Sequence, residues 1–142
     1  MGYARFNGYY RLVASYLASS LDEPVTKTTG GLIVLGRTAE SEKMVLNLSR
    51  FMRYTLASAP SQFASVADEM GLLRQYLEIE ATRFSDRLLV TWDVPKECEQ
   101  ALVPSLILLP LVENALKYGL GESEAPVELV IAARREGGDL LL

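Results

Sequence analysis

The sequence predicts an α+β fold, in which an N-terminal helical region (residues 1–62) precedes a second region (residues 63–142) that mixes helices with strands. Apolar residues recur every three or four positions along much of the first 84 residues, which is the spacing of helices with one buried face. Apolar and polar residues then alternate in "LLVTWD", and "VELVIAARREGGDLLL" predicts two strands joined by a turn at 136–138.

The helices before the first strand are predicted from these apolar stripes and from their end signals. One helix is predicted over residues 1–21, and "DEPVTKTTGG" predicts a break because of its proline and paired glycines. A second helix begins at Thr38, a fair N-cap, and ends in "SAPSQ". A third begins in "SVADE" and runs to about Phe84.

The remaining elements follow from shorter patterns. The strand that starts at Leu88 is stopped by Pro95, which cannot donate to a sheet. The stretch "VPSLILLPLVENALKYG" predicts a buried helix with Gly119 as its C-cap.

Composition excludes several kinds of function. The net charge of −4 argues against unaided binding of nucleic acid, which needs clustered cations. The sequence contains no histidine, so histidine catalysis, histidine metal ligation and a phosphohistidine on this chain are all excluded. Cys98 is the only cysteine, which fits a reducing cytoplasm. No apolar run reaches the roughly 20 residues of a membrane span, and no secretion signal is expected after Met1.

The helix in "LPLVENALKYG" carries a narrow polar stripe on an otherwise apolar surface. At 100° per residue, Asn114, Lys117 and Tyr118 share one side with Pro110, and Glu113 borders them. An amide oxygen can ligate Mg²⁺ and a lysine ammonium can bind phosphate. On spacing alone a plainer interpretation stays open, in which Glu113 and Lys117 form an exposed i,i+4 ion pair and Asn114 is solvated.

Three stretches of the chain, in order, resemble the LytS/YehU-type sensor histidine kinases. They are "LSRFMRYTL" (48–56), "ADEMGLLRQYLEIEATRFSDRLLVTWDVP" (67–95) and "SLILLPLVENALKYG" (105–119). The last is similar to the N box of the ATP-binding domain that histidine kinases share with type II topoisomerases and mismatch-repair ATPases. The resemblance implies a dimerisation-like helical region followed by part of a histidine-kinase ATP-binding α/β sandwich, with a mostly antiparallel sheet.

The resemblance also implies roles for the polar stripe. Asn114 matches the asparagine that holds the Mg²⁺ of Mg-ATP, and Lys117 matches a lysine near the phosphates. Tyr118 stands at a position that lines the nucleotide pocket, and Glu113 either touches nucleotide or pairs with Lys117. Pro110 replaces the water-activating glutamate of the gyrase-like ATPases, which fits a kinase. Nucleotide binding is therefore assigned to these four polar residues, metal binding to Asn114 alone, and no catalytic residue is assigned.

The chain departs from the family pattern in ways that matter for activity. The family's phosphoacceptor histidine is missing, and residues 1 to about 31 do not match the family. Arg53 and Arg83 match family arginines, with a phosphate role and helix-surface pairing both open. The glycine boxes that complete the ATP pocket are not found before Leu142. We therefore expect weak or absent ATP binding and no autophosphorylation by this chain.

The sequence thus predicts a fragment or degenerate relative of a two-component sensor histidine kinase. A homodimer is expected, because the helices at 38–58 and 67–85 suit self-packing and the last strand leaves an open apolar edge. A response regulator is the partner expected for the parent kinase, whose location is expected to be cytoplasmic or membrane-anchored. Two alternatives stay open: a non-enzymatic module that docks on a kinase or response regulator, and a helical protein with an accidental N-box likeness.

Overall fold

The computed structural model of the chain describes residues 25–58, 62–121 and 124–142. The helix predicted over residues 1–21 lies outside the described residues. The described chain forms four α-helices and six short strands, which agrees with the predicted α+β class. None of the described helices is long and apolar enough to cross a bilayer.

The first described helix, α1 (residues 25–34), occupies the segment for which a break was predicted, and that prediction is wrong. Val25 and Leu32 are buried, and this burial offsets the cost of about 1 kcal/mol that each helical glycine carries. The helix ends at Gly36, whose φ is +74°. The Arg37 amide donates to the Leu32 carbonyl at 2.7 Å and the Gly36 amide to the Ile33 carbonyl at 3.0 Å, which is a Schellman end.

The second helix, α2 (Thr38–Ser58), and the third, α3 (Val66–Phe84), lie close to their predicted bounds. The Arg37 carbonyl accepts the Ser41 amide at 3.2 Å, so Arg37 rather than Thr38 is the N-cap of α2. At the start of α3, the Ser65 hydroxyl accepts the Asp68 amide at 3.1 Å and donates to the Asp68 carboxylate at 2.7 Å. This reciprocal cap fixes the point at which α3 begins.

The helices α2 and α3 pack against each other and supply a large part of the apolar core. The rings of Phe51 and Tyr76 lie 5.9 Å apart, and the Asn47 amide donates to the Glu78 carboxylate at 3.2 Å. In this packing, the apolar stripe of α2 faces the apolar stripe of α3. The fully or almost fully buried apolar side chains of the two helices are Met44, Phe51, Val66, Met70, Leu72, Leu73, Tyr76, Leu77 and Ile79.

The strands form three separate two-stranded pairs among the described residues. β1 (Phe63–Ser65) pairs antiparallel with β3 (Leu102–Pro104), and β5 (Arg134–Glu136) pairs antiparallel with β6 (Asp139–Leu141). The turn predicted at 136–138 is confirmed, since Gly137 and Gly138 take φ values of +59° and +106°.

The pair formed by β2 (Leu88–Asp93) and β4 (Val127–Ala132) runs parallel, against the mostly antiparallel sheet that was expected. The chain between these strands contains the fourth helix, α4 (Leu108–Leu120), and a helix in the connection returns the chain in the same direction. The run predicted as a single strand after residue 127 is divided at Ala133, whose amide donates to the Asp93 carbonyl at 2.9 Å.

The helix α4 begins and ends later than the sequence predicted. Pro104 belongs to β3, and Leu106 has a φ of +61°, which no helix allows. Gly119 is therefore inside the helix rather than its C-cap, and Gly121 follows the last helical residue. A Cβ at Gly119 would lie 3.1 Å from Cγ1 of Val127, so this glycine permits the close approach of α4 to β4.

Candidate functional site

The start of α4 is held by a carboxylate from α3. Glu69 is only 2% exposed, and its Oε1 accepts the Leu106 amide at 2.7 Å while Oε2 accepts the Leu108 amide at 3.4 Å. These amides lie where a helix leaves its first N–H groups without an intrahelical acceptor. Burial raises the pKa of Glu69 above its usual value, and hydrogen bonds from the amides of Leu106, Leu108 and Ile107 oppose that rise.

The other end of α4 is held from the turn that follows α3. The guanidinium of Arg87 donates to the Leu120 carbonyl at 3.4 Å, at the last residue of α4. A cation at this end is favoured by the helix dipole, as a carboxylate is at the start. Since Glu69 precedes Arg87 along the chain and Leu106 precedes Leu120, α3 and α4 run in the same direction.

The side of α4 that faces the core is apolar. Leu109, Val112, Leu116 and Leu120 recur at spacings of three and four residues and are all buried. This spacing places them on one side of the helix. The core side of α4 is therefore fixed by apolar packing between its two hydrogen-bonded ends.

The opposite side of α4 carries the predicted nucleotide residues. Asn114, Lys117 and Tyr118 are exposed, with Tyr118 at 78%. Pro110 is half-buried beside them. Because these residues share one exposed face, the stripe expected from the sequence is present as a surface, while the roles of its members stay predictions.

Glu113 lies off that face, on the side of α4 towards α3. It is half-buried, and its negative charge helps to raise the pKa of Glu80. Burial of Glu80 is the larger cause of that rise, and the charge of Arg83 opposes it. Glu113 therefore lies near Glu80, at the border of the exposed face that carries Asn114.

The two family-matching arginines have different surroundings. One guanidinium nitrogen of Arg83 donates to both carboxylate oxygens of Glu80, each at 2.9 Å, and the guanidinium carbon lies 4.8 Å from the centre of the Phe84 ring. The helix-surface pairing left open for Arg83 is thus the arrangement in the structure. Arg53 is exposed on α2.

A cleft of about 190 Å³ lies between α4 and β4, beside the exposed stripe. The sequence predicted a buried helix around the polar stripe, yet Leu111 is 63% exposed, and Leu111 and Ala115 line this cleft. On a helix, Leu111 and Ala115 follow directly round from Tyr118. The cleft is lined by Leu73, Leu108, Leu111, Val112, Ala115, Leu129, Val130, Ile131, Ala132 and Leu142.

No group of three or more histidine, cysteine, aspartate or glutamate side chains in the described part of the chain is placed to hold a metal ion. Asn114 offers one amide oxygen, so a Mg²⁺ ion on this face would take its other ligands from phosphate and water, as Mg²⁺ commonly does.

Comparison with known proteins shows the family of this chain. The family model described as histidine kinase matches residues 27–88, which include α2, α3 and most of α1. The match begins at residue 27, so the prediction that residues 1 to about 31 do not match the family is wrong for residues 27–31.

The likeness to individual relatives covers more of the chain than the family model does. Sensor histidine kinase BtsS of Escherichia coli (strain K12) is 40% identical over 110 residues, which are 77% of this chain and 19% of BtsS. This chain belongs to the sensor histidine kinases. Sensor protein LytS of Staphylococcus saprophyticus is 30% identical over 103 residues, which are 72% of this chain and 17% of LytS. Sensor histidine kinase YesM of Bacillus subtilis is 32% identical over 96 residues. The chain thus spans under a fifth of the length of these relatives.

The sequence did not reveal that Glu69 and Arg87 hold the two ends of α4. Glu69 has the pattern of an ordinary acidic residue in the first turn of α3, and Arg87 that of a charge next to a strand. Their partners lie 37 and 33 residues away in sequence, beyond the reach of periodicity. The only signal was the position of Glu69 on the otherwise apolar stripe of α3.

Proposed function

We propose that this chain is part of a two-component sensor histidine kinase and that the exposed face of α4 is one wall of its Mg-ATP site. A single observation carries the proposal. Asn114, Lys117 and Tyr118 share an exposed face of a helix whose opposite face and both ends are fixed. A polar face on a fixed helix is preorganised for a ligand, which lowers the cost of binding.

Each residue of that face has a chemical task in the proposal. The Asn114 amide oxygen ligates the Mg²⁺ that bridges the phosphates, and the Lys117 ammonium neutralises phosphate charge. Tyr118 lies next round the helix from Leu111 and Ala115, which line the apolar cleft, and this cleft takes the flat face of the base. Glu113 borders the face from the side of α4 near Glu80.

In the whole kinase, the γ-phosphoryl group of ATP passes to a histidine and then to an aspartate of a response regulator. The 142 residues contain no histidine, so the acceptor of the first step is not among them. Binding of ATP by this chain alone is weak, because Tyr118 is largely exposed and the cleft is small. Autophosphorylation of this chain does not occur.

Self-association belongs to the same proposal. Ile33, Val34 and Leu35 at the end of α1 are strongly exposed, and Val45 and Leu46 of α2 are about half exposed. Exposed apolar side chains on a helical hairpin favour packing against a second copy. A homodimer in the cytoplasm, where ATP and response regulators are found, is the state that we propose.

Calorimetric titration of the 142-residue chain with Mg-ATP tests the nucleotide site. We expect a weak signal that is lost when EDTA removes Mg²⁺ and lost in Asn114→Ala. The matched control is Gln100→Ala, which removes an exposed amide side chain outside α4. Equal binding by wild type and Asn114→Ala would contradict the assignment of Mg²⁺ to Asn114.

A second candidate function is a non-enzymatic module that docks on a kinase or a response regulator. The exposed apolar residues of α1 and α2 favour it, because they offer a contact surface that needs no nucleotide. Titration with Mg-ATP separates the two functions, since both expect the dimer that sedimentation across a range of concentrations would detect. A concentration-dependent dimer without any Mg-ATP binding would support the module and contradict the nucleotide site.

A further inference from the structure

One helical unit holds both ends of α4. Glu69 in the first turn of α3 binds the amides at the start of α4, and Arg87, just after α3, binds a carbonyl at its end. We call this pair of residues the α4 clamp. The two contacts are separated by the full length of α4, so together they resist both rotation and axial sliding of the helix.

The carboxylate of Glu69 is suited to its place in a way that an amide would not be. Its two oxygens accept different amides, Leu106 on Oε1 and Leu108 on Oε2. A glutamine would put an NH₂ group against one of these N–H donors, leaving one buried donor without an acceptor. Two-point acceptance also fixes the direction in which α4 leaves the preceding turn.

The α3 helix is also the element on which α2 packs. Phe51 of α2 contacts Tyr76 of α3, and Asn47 of α2 donates to Glu78 of α3. Among the described elements, α3 therefore contacts the dimerisation-like helix on one side and the nucleotide-face helix on the other. Any displacement of α3 is passed to α4 through the clamp and the packed leucines between its ends.

We propose that Glu69 and Arg87 are positioning residues that fix the rotation and axial register of α4 on α3, and thereby aim the Asn114 face. The inference that the Asn114 face points at nucleotide rests on the proposed function, whereas the contacts of the α4 clamp do not. Neither residue lies on the exposed face, so neither contacts Mg-ATP in this proposal.

Amide hydrogen exchange on the ¹⁵N-labelled 142-residue chain tests the clamp without any ligand. In Glu69→Gln and in Arg87→Met we expect the α4 amides to exchange about tenfold faster while the α2 amides around Phe51 keep their wild-type rates. The conservative Arg87→Lys should restore most of the protection, since it keeps a cation near the Leu120 carbonyl. Glu97→Gln and Arg50→Gln, both exposed and away from α4, serve as controls.

Two outcomes would overturn the clamp. One is unchanged exchange of α4 in both variants. The other is an equal acceleration in α2 and α4, because that result would mean a general loss of stability rather than a local loss of position.

Mg-ATP titration of the same variants tests whether the α4 clamp orients the Asn114 face for nucleotide binding. We expect Glu69→Gln to weaken binding about tenfold although it leaves Asn114 and Lys117 in place. Wild-type affinity in a variant whose α4 exchanges faster would overturn the link between clamp and nucleotide. No binding by the wild type would instead contradict the proposed function and leave the exchange result to judge the clamp alone.

Discussion

The two sides of α4 differ in what they do for the protein. The inner side carries four buried apolar residues between two hydrogen-bonded ends, whereas the outer side carries Asn114, Lys117 and Tyr118 in solvent. The same 13-residue helix thus holds residues that determine the fold and residues suited to a ligand, and they do not overlap. Folding stability and nucleotide affinity should therefore respond to different substitutions.

The largest expected effect is on the inner side. Leu109→Ala empties part of the core, because Leu109 is fully buried, and should lower the free energy of unfolding by about 2–5 kcal/mol. Leu111→Ala, two residues away and exposed, should change it by less than about 0.5 kcal/mol. Urea denaturation measures both, and equal losses would remove the distinction between the two sides.

The next largest effect concerns α3, the helix whose residues contact the start of α4. Ser65→Ala removes the hydroxyl that caps α3 through Asp68 and should lower stability by about 0.5–2 kcal/mol. Ser49→Ala, at an exposed position within α2, is the control and should not destabilise the protein. Thermal unfolding followed by circular dichroism distinguishes them, and a stable Ser65→Ala variant would show that the cap is dispensable.

A smaller effect of opposite sign is expected on the outer side. Asn114→Ala replaces an exposed helical asparagine with the best helix former, so stability should be unchanged or rise by up to about 0.7 kcal/mol. Denaturation and Mg-ATP titration on one protein batch test this separation. A large loss of stability would mean that Asn114 supports the fold rather than a ligand.

The smallest effect concerns the pH dependence of stability. Because burial raises the pKa of Glu80 above 4.5, its contribution to stability is fully present below about pH 4.5 and is lost as the pH rises through the raised pKa. Glu113→Gln removes one charge that raises this pKa, so the loss of stability as the pH rises above about 4.5 should shrink. Denaturation across that rise in pH measures it, with the exposed Glu128→Gln as control; an unchanged pH dependence would separate Glu113 from Glu80.

Only part of the candidate site could be predicted from the sequence. Asn114, Lys117 and Tyr118 could be placed on one face because helical periodicity is a local property of the chain. That Leu111 and Ala115 line an open cleft could not be predicted, since an apolar helix residue gives no sign of which neighbour covers it. The sequence likewise gave no reason to separate Glu113 from the stripe, because its relation to Glu80 crosses between helices.

The sequence by itself determined the course of α2 and α3, the strand β2, and the glycine turn between β5 and β6, because each depends on local spacing or on the φ values that a glycine allows. Tertiary structure decided that residues 25–34 are helical despite two glycines, that β2 and β4 run parallel, and that α4 begins only at Leu108. Each of these depends on burial or hydrogen bonding between residues far apart in the chain. The contact of Glu69 with Leu106, across 37 residues, is the plainest example, since only the folded core brings that acceptor to that donor.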